Sequence, residues 1–111
     1  MMAFYYTDII YGVPNEVRYG TGLTSTEVEP KRVESVYLVV SGRQNNFIEM
    51  WLERERLGQV VDYIIPLTTD DYRLEIPIGV DIPVGRIFNI ALRCGGTATV
   101  LYVVYKYSVS E

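Results

Sequence analysis

Hydrophobic and polar residues alternate along much of this chain with a period of two, which is the spacing of side chains on one face of a β-strand. The alternation is clearest in residues 46–55 (NFIEMWLERE), where Ile48, Met50 and Leu52 fall on one side. The residues between them fall on the other side: Phe47, Glu49, Trp51 and Glu53. Residues 49–57 could also form a charged helix, but their apolar positions fit alternation at least as well.

Other segments resemble strands in the same way and predict about eight short strands in all. They are residues 3–11, 13–19, 33–41, 59–65, 72–78, 86–94 and 97–107. Residues 20–31 are rich in turn-forming residues and predict a long loop. Short strands that are regularly bounded by glycine and proline predict an all-β sandwich or a closed barrel. A length of 111 residues suits one domain, so we expect residues 1–111 to form a single antiparallel β-sandwich.

The last two segments, residues 86–94 and 97–107, are separated by Gly95-Gly96, which suits the positive φ angles of a two-residue hairpin turn. Such a turn predicts four cross-strand pairs: Cys94–Thr97, Leu92–Thr99, Ile90–Leu101 and Phe88–Val103. This register places six residues on one face, which we expect to be the core: Phe88, Ile90, Leu92, Leu101, Val103 and Tyr105.

The second face of this predicted hairpin is almost as apolar as the first. A strand with water on one side normally carries polar residues there. Either a loop of the same chain or another subunit is therefore expected to cover these positions. The residues that would contact another subunit are Ile87, Ala91, Val100, Tyr102 and Val104, together with Tyr37 and Val39 from an earlier strand.

Trp51 is the best single candidate for a contact residue, because tryptophan is enriched at interaction hot spots. An exposed tryptophan beside Phe47 could equally stack on a sugar ring. A tryptophan that is buried under a loop would do neither. The sequence leaves these three alternatives open.

The chain contains no histidine, which excludes Ser-His-Asp and Cys-His catalytic sites and removes the commonest general base near neutral pH. Cys94 is the only cysteine, which excludes a zinc site made of cysteine and histidine ligands. Asp70-Asp71 lack the spacing of a calcium-binding loop. We expect Glu49 and Glu53 to lie on a solvated strand face rather than to act as paired catalytic carboxylates. We therefore expect no enzymatic activity, no metal and no cofactor.

Lysine and arginine are scattered along the chain and the net charge is −4, so nucleic acid is not an expected partner. Residues 1–12 lack the basic start and the cleavage site of a signal peptide. The chain also lacks an apolar stretch of about 18 residues, so we expect no membrane insertion. These features predict a cytoplasmic protein unless the chain is part of a virus particle.

Residues 76–109 (IPIGVDIPVGRIFNIALRCGGTATVLYVVYKYSV) resemble the closing strands of small viral jelly rolls and sandwiches. The short, histidine-free chain, which is rich in tyrosine and valine, is also similar to structural proteins of archaeal viruses and phages. The resemblance implies a jelly-roll sandwich that forms homo-oligomers or binds other structural subunits in the virion. The implied role is that of a capsid, decoration, turret or fibre-base protein. The alternative is a carbohydrate- or receptor-binding β-sandwich module.

Overall fold

The computed structural model describes residues 3–43 and 45–109, which form nine β-strands and one short 3-10 turn at Asp62–Ile64. The strands are β1 (Ala3–Tyr11), β2 (Val17–Tyr19), β3 (Leu23–Thr24), β4 (Lys31–Val40), β5 (Phe47–Leu52), β6 (Glu55–Val61), β7 (Leu74–Ile82), β8 (Ile87–Arg93) and β9 (Val100–Val109). Within these residues there is no α-helix, and thus no helix long and apolar enough to cross a membrane. The prediction of an all-β chain is confirmed.

The strands pair into two antiparallel sheets. Sheet A has the order β1-β9-β4-β7, and sheet B has the order β2-β8-β5-β6, with β3 also paired with β8. If β2 and β3 are counted as one interrupted strand, the chain pairs β1 with β9, β2/β3 with β8, β4 with β7 and β5 with β6. This is the strand order of a jelly roll, an antiparallel ribbon folded over into two layers. The predicted jelly-roll-like sandwich of about eight strands is confirmed.

The core lies between the two sheets and is built from alternate residues of the strands. Its most buried members include those that alternation predicts: Val36, Leu38, Val40, Ile48, Met50, Phe88, Ile90, Leu92, Leu101, Val103 and Tyr105. The Phe88 ring on sheet B meets the Tyr105 ring on sheet A edge to face, with 6.1 Å between the ring centroids. This contact joins the two layers near the centre of the core.

The Asp8 carboxylate on β1 is buried next to Tyr105. Its Oδ2 atom accepts a hydrogen bond from the Tyr105 hydroxyl at 3.0 Å and another from the Gly22 backbone N–H at 3.1 Å. Gly22 has a φ of +77°, a conformation that glycine adopts readily. Burial and the neighbouring Asp8 raise the pKa of Tyr105 far above its ordinary value, so its hydroxyl stays a hydrogen-bond donor at neutral pH.

The predicted hairpin between residues 86–94 and 97–107 is wrong. β8 pairs with β5 in sheet B, whereas β9 pairs with β1 and β4 in sheet A. The segment through Gly95 and Gly96 therefore crosses from one sheet to the other, and positive φ angles at glycine occur instead at Gly22, Gly79 and Gly85. Alternation assigns side chains to a face but does not assign a strand to its partner, and both arrangements bury the same six residues.

The strand boundaries also differ from the prediction elsewhere: β2 covers only Val17–Tyr19 of the predicted strand 13–19, and β7 runs over Leu74–Ile82 rather than residues 72–78. The predicted strand at residues 59–65 ends at Val61, where the 3-10 turn begins. The loop predicted for residues 20–31 contains the short strand β3. Residues 49–57 form two strands of a hairpin rather than a helix, and the chain turns at Glu53, whose φ is +53°.

Candidate functional site

The outer face of sheet A is mainly apolar on β1, β9 and β4, with Lys106 beside Tyr5 on β9, whereas the edge strand β7 contributes Glu75 beside Tyr37. The odd-numbered residues of β1 point away from the core, and Tyr5, Ile9 and Tyr11 are between 45% and 68% exposed. The cross-strand register places Ile9 beside Tyr102, and Tyr102 beside Val39. We call this surface the tyrosine face and define it by eight residues: Tyr5, Ile9, Tyr11, Tyr37, Val39, Val100, Tyr102 and Val104.

A shallow depression of about 290 Å³ lies on the tyrosine face. It is lined by residues of β4, β9 and the segment before β7: Tyr37, Val39, Thr68, Arg73, Tyr102 and Val104. The exposed side chains of β1 lie on the other side of β9 from this depression. The tyrosine face thus combines a row of projecting side chains with a recess beside it.

The seven predicted contact residues are divided between the two sheets. Five lie on the tyrosine face: Tyr37, Val39, Val100, Tyr102 and Val104. Ile87 and Ala91 lie on β8, and therefore on the opposite side of the sandwich. The sequence grouped these two with the other five because it predicted a hairpin between β8 and β9. That grouping is wrong, because β8 and β9 lie in different sheets. Ala91 is fully buried and Val39 nearly so, which leaves Tyr102 as the most exposed of the seven.

The contribution of β1 to the tyrosine face was missed by the sequence analysis. Residues 3–11 (AFYYTDIIY) alternate poorly, because apolar residues occupy adjacent positions. In the structure the even-numbered residues face the core and the odd-numbered ones face outward. A strand that is apolar on both faces was the signal that could have revealed this surface.

The outer face of sheet B is centred on Glu49, whose carboxylate is fully buried although it points away from the core. Its Oε2 atom accepts hydrogen bonds from Gln59 Nε2 at 2.9 Å, Arg93 Nε at 3.1 Å and Arg56 Nη1 at 3.3 Å. Its Oε1 atom accepts one from Trp51 Nε1 at 3.1 Å. These side chains come from β5, β6 and β8. The expectation that Glu49 is solvated is therefore wrong.

Trp51 and Phe47, the predicted contact or sugar-stacking residues, lie on this same outer face. Trp51 is half-buried, Phe47 is 37% exposed, and Tyr19 on the neighbouring part of β2 is also exposed. We call this surface the Trp51 face and define it by seven residues: Tyr19, Phe47, Glu49, Trp51, Arg56, Gln59 and Arg93.

The charge of Glu49 is set by its surroundings. Burial by itself would raise the pKa of this carboxyl, but hydrogen bonds from Arg93, Trp51 and Arg56 and the positive charge of Arg93 outweigh burial. The pKa of Glu49 therefore lies below its ordinary value. Glu49 is a carboxylate at neutral pH, and it holds the side chains of this face in place.

We expect the stabilising effect of Glu49 to depend on pH. A carboxyl whose pKa is lowered by folding contributes its full stability above its unfolded pKa of about 4.3 and loses it as the pH falls toward the folded pKa. Glu49→Gln should lower the free energy of unfolding by about 1–3 kcal/mol at pH 7. Its difference from the wild type should shrink as the pH falls from 7 to 3, as measured by urea unfolding.

Glu27→Gln is the matched control, because Glu27 is exposed in the loop before β4. We expect its unfolding free energy to follow that of the wild type at every pH. A constant difference between Glu49→Gln and the wild type from pH 7 to pH 3 would contradict the role of the Glu49 charge.

Two other acidic residues singled out in the sequence, Asp70 and Glu53, accept hydrogen bonds from backbone N–H groups. Asp70 accepts a hydrogen bond from the Leu67 backbone N–H at 2.8 Å, and Glu53 accepts one from the Ile87 backbone N–H at 2.8 Å. In residues 3–43 and 45–109, no group of three or more histidine, cysteine, aspartate and glutamate side chains is arranged to hold a metal ion.

Comparison with protein-family models, with curated proteins and with solved structures finds no match to this chain. The two outer faces are therefore interpreted from their own geometry. The tyrosine face is apolar, whereas the Trp51 face combines aromatic rings with arginines held around one carboxylate. These two chemistries suit different kinds of partner.

Proposed function

We propose that this protein is a non-enzymatic structural subunit of a virus particle, and that it associates with copies of itself through the tyrosine face. The jelly-roll order of the strands supports this role, because double-sheet jelly rolls are an architecture of viral capsid domains. Since one fold serves many functions, the proposal depends mainly on the chemistry of the exposed surface.

The single observation that carries the proposal is the exposure of Tyr5, Ile9, Tyr11 and Tyr102 on one sheet face. Contiguous apolar patches on soluble proteins mark interaction sites. Tyrosine suits such sites because its ring buries a large apolar area and its hydroxyl can form a hydrogen bond with water or a partner group at a hydrated interface. The jelly roll covers the inner side of sheet A, whereas nothing in the described chain covers these four side chains on its outer side.

The shape of the tyrosine face favours a second copy of the same chain as the partner. In a two-fold contact, the same patch of both copies meets, so the projecting residues of one copy must fit a recess of the other. The row formed by Tyr5, Ile9 and Tyr11 lies beside the depression that β4, β9 and Arg73 line. One surface thus carries both the projecting residues and the recess that a two-fold contact needs.

The size of the face sets the expected strength of association. The three strands that carry the tyrosine face, spaced about 4.8 Å apart and about 30 Å long, present roughly 430 Å². Specific interfaces bury about 600–1,000 Å² on each partner, so this contact is smaller than that range. We therefore expect a single pair to dissociate on dilution and a particle to gain its stability from repeated contacts.

The test is the molar mass of the protein measured by light scattering over a range of concentrations, with electron microscopy of the concentrated sample. The wild type should form oligomers as concentration rises, and Ile9→Lys with Tyr102→Lys should weaken association at least tenfold, because two ammonium groups would have to be buried. Tyr63→Lys is the control, because Tyr63 is also an exposed apolar residue but lies on the 3-10 turn, outside the tyrosine face. A wild type that is strictly monomeric at high concentration would contradict the proposal. The proposal would also be contradicted if Tyr63→Lys weakened association as much as Ile9→Lys with Tyr102→Lys.

A second candidate function is binding of a carbohydrate or a receptor through the Trp51 face. The observation that favours it is the hydrogen bond between Trp51 Nε1 and Glu49 Oε1, which holds the partly exposed indole on the sheet surface. A ring held in this way loses little conformational entropy when it stacks on a ligand. Because the two faces lie on opposite sides of the sandwich, this function does not exclude assembly through sheet A.

A further inference from the structure

We propose that the Trp51 face binds acidic saccharides, with Arg56 and Arg93 contacting the acidic group and Trp51 contacting the sugar ring. This inference rests on the second candidate function, binding through the Trp51 face, and names the ligand class. It concerns a different surface from the one proposed for assembly.

The two arginines are held side by side. Arg56 Nη1 and Arg93 Nε donate to the same oxygen, Glu49 Oε2, at 3.3 and 3.1 Å. The two nitrogens are therefore no farther apart than the sum of those distances. Each guanidinium has five N–H donors and uses one nitrogen in this contact, which is its sole hydrogen bond in the described part of the chain. The pair keeps several donors for an added anion.

A ligand that approaches this face meets positive charge. The Arg56 and Arg93 side chains are 48% and 49% exposed, whereas the Glu49 side chain beneath them is 0% exposed. The outward-facing strand positions around Trp51 thus carry two positive charges and one buried negative charge, in a chain whose net charge is −4. Paired guanidinium groups bind carboxylate and sulfate oxygens with charge-assisted hydrogen bonds.

The aromatic residues favour a saccharide over a small inorganic anion. The Trp51 indole N–H is already satisfied by Glu49, so the ring offers its apolar surface to a ligand. Phe47 lies beside Arg93 in the cross-strand register, and Tyr19 lies beside Ala91 on the same face. A pocket or surface that combines apolar rings with a few fixed polar groups orients a ligand that has both kinds of surface, as a sugar acid does.

A nucleic acid also presents rings and negative charge, but the rest of the chain disfavours it. Binding along a nucleic acid backbone requires a stripe of basic residues, and the lysines and arginines here are scattered in a chain of net charge −4. One compact pair of arginines suits a single acidic group better than a continuous phosphate backbone.

Trp51 makes the test direct, because it is the only tryptophan in the chain and its fluorescence therefore reports on this face alone. The titrations use sialyllactose, its neutral parent lactose, and a sulfated heparin disaccharide, all at low salt. We expect an acidic saccharide to change Trp51 emission and to bind at least tenfold more tightly than lactose, with an affinity that falls as salt is added. The comparison of sialyllactose with the sulfated disaccharide identifies which acidic group is preferred.

Two sets of variants assign the effect to the arginines. Arg56→Gln with Arg93→Gln should weaken binding of the acidic saccharide at least tenfold, whereas Arg86→Gln, an exposed arginine next to the start of β8, should leave it unchanged. Because the double change leaves Glu49 with fewer donors and can lower stability, Glu49→Gln supplies an independent result. The amide oxygen of glutamine can still accept the hydrogen bond from Trp51, but the internal anion that competes for the two arginines is gone. Glu49→Gln should therefore tighten binding of the acidic saccharide, whereas a purely structural role for the Glu49 charge predicts weaker binding. Circular dichroism checks that each variant is folded.

The outcomes separate this inference from the function on which it rests. Equal binding of lactose and sialyllactose would overturn the preference for acidic ligands and leave the second candidate function intact. An unchanged Trp51 emission with all three saccharides would overturn both the preference for acidic ligands and carbohydrate binding through the Trp51 face. Tighter binding of a single-stranded oligonucleotide than of any saccharide would overturn the assignment of the ligand class.

Discussion

Replacing Phe88 with alanine should lower the free energy of unfolding by about 3–5 kcal/mol. Phe88 is fully buried, and its ring contacts Tyr105 of the opposite sheet edge to face. The change removes the apolar surface that the ring buries and leaves a cavity between two sheets, each of which is kept stiff by the backbone hydrogen bonds between its own strands. A domain of this size has about 5–15 kcal/mol of stability in all, so the loss is a large part of the total.

Phe47→Ala is the matched control for this prediction, because it removes the same ring from a position that is 37% exposed on the outside of sheet B. We expect it to cost about 1 kcal/mol, since surface changes have small effects on stability. Urea unfolding followed by circular dichroism measures both variants. Similar losses at the two positions would mean that the core is not centred where Phe88 and Tyr105 meet.

The second large effect is expected at Tyr105. Tyr105→Phe keeps the ring and removes only the hydroxyl, which donates to Asp8 Oδ2 at 3.0 Å. Asp8 is buried, so the loss leaves a carboxylate oxygen with the Gly22 N–H as its other hydrogen-bond donor. Hydrogen bonds to charged groups contribute about 1.5–3 kcal/mol, and we expect a loss of stability of that size in urea unfolding.

Tyr107→Phe is the control for Tyr105→Phe, because Tyr107 lies on the same strand and packs against the same core while being partly exposed. Its loss should be within about 0.5 kcal/mol. A double-mutant cycle with Asp8→Asn then tests the pair itself: the cost of Tyr105→Phe should be smaller when Asp8 has lost its charge. Additive effects of the two changes would show that the hydroxyl and the carboxylate are not coupled.

The two outer faces lie on opposite sides of the sandwich, so a partner on one face leaves the other face open. Sheet A presents an apolar surface and sheet B presents a charged and aromatic one, with the core between them. A subunit that assembles through the tyrosine face would keep the Trp51 face free. The Ile9→Lys with Tyr102→Lys variant should therefore lose association without losing any response of Trp51 to ligands.

Burial of Glu49 illustrates what a sequence pattern leaves undecided. Alternation in residues 46–55 correctly assigned Glu49 to the side facing away from the core. Its burial comes from side chains on neighbouring strands, Arg93 on β8 and Arg56 and Gln59 on β6. Those strands lie up to 44 residues away along the chain, and their register across β5 is known only from the folded structure.

The sequence by itself determined that the chain is all-β, and it determined which side of most strands faces the core. It could do so because the two faces of a strand alternate residue by residue, so burial of one face leaves a local pattern. Only the tertiary structure decided that β8 and β9 belong to different sheets, that β1 completes the tyrosine face, and that two arginines meet over Glu49. Strand pairing joins residues that are distant in sequence, and its free energy depends on contacts that do not exist until both strands are in place.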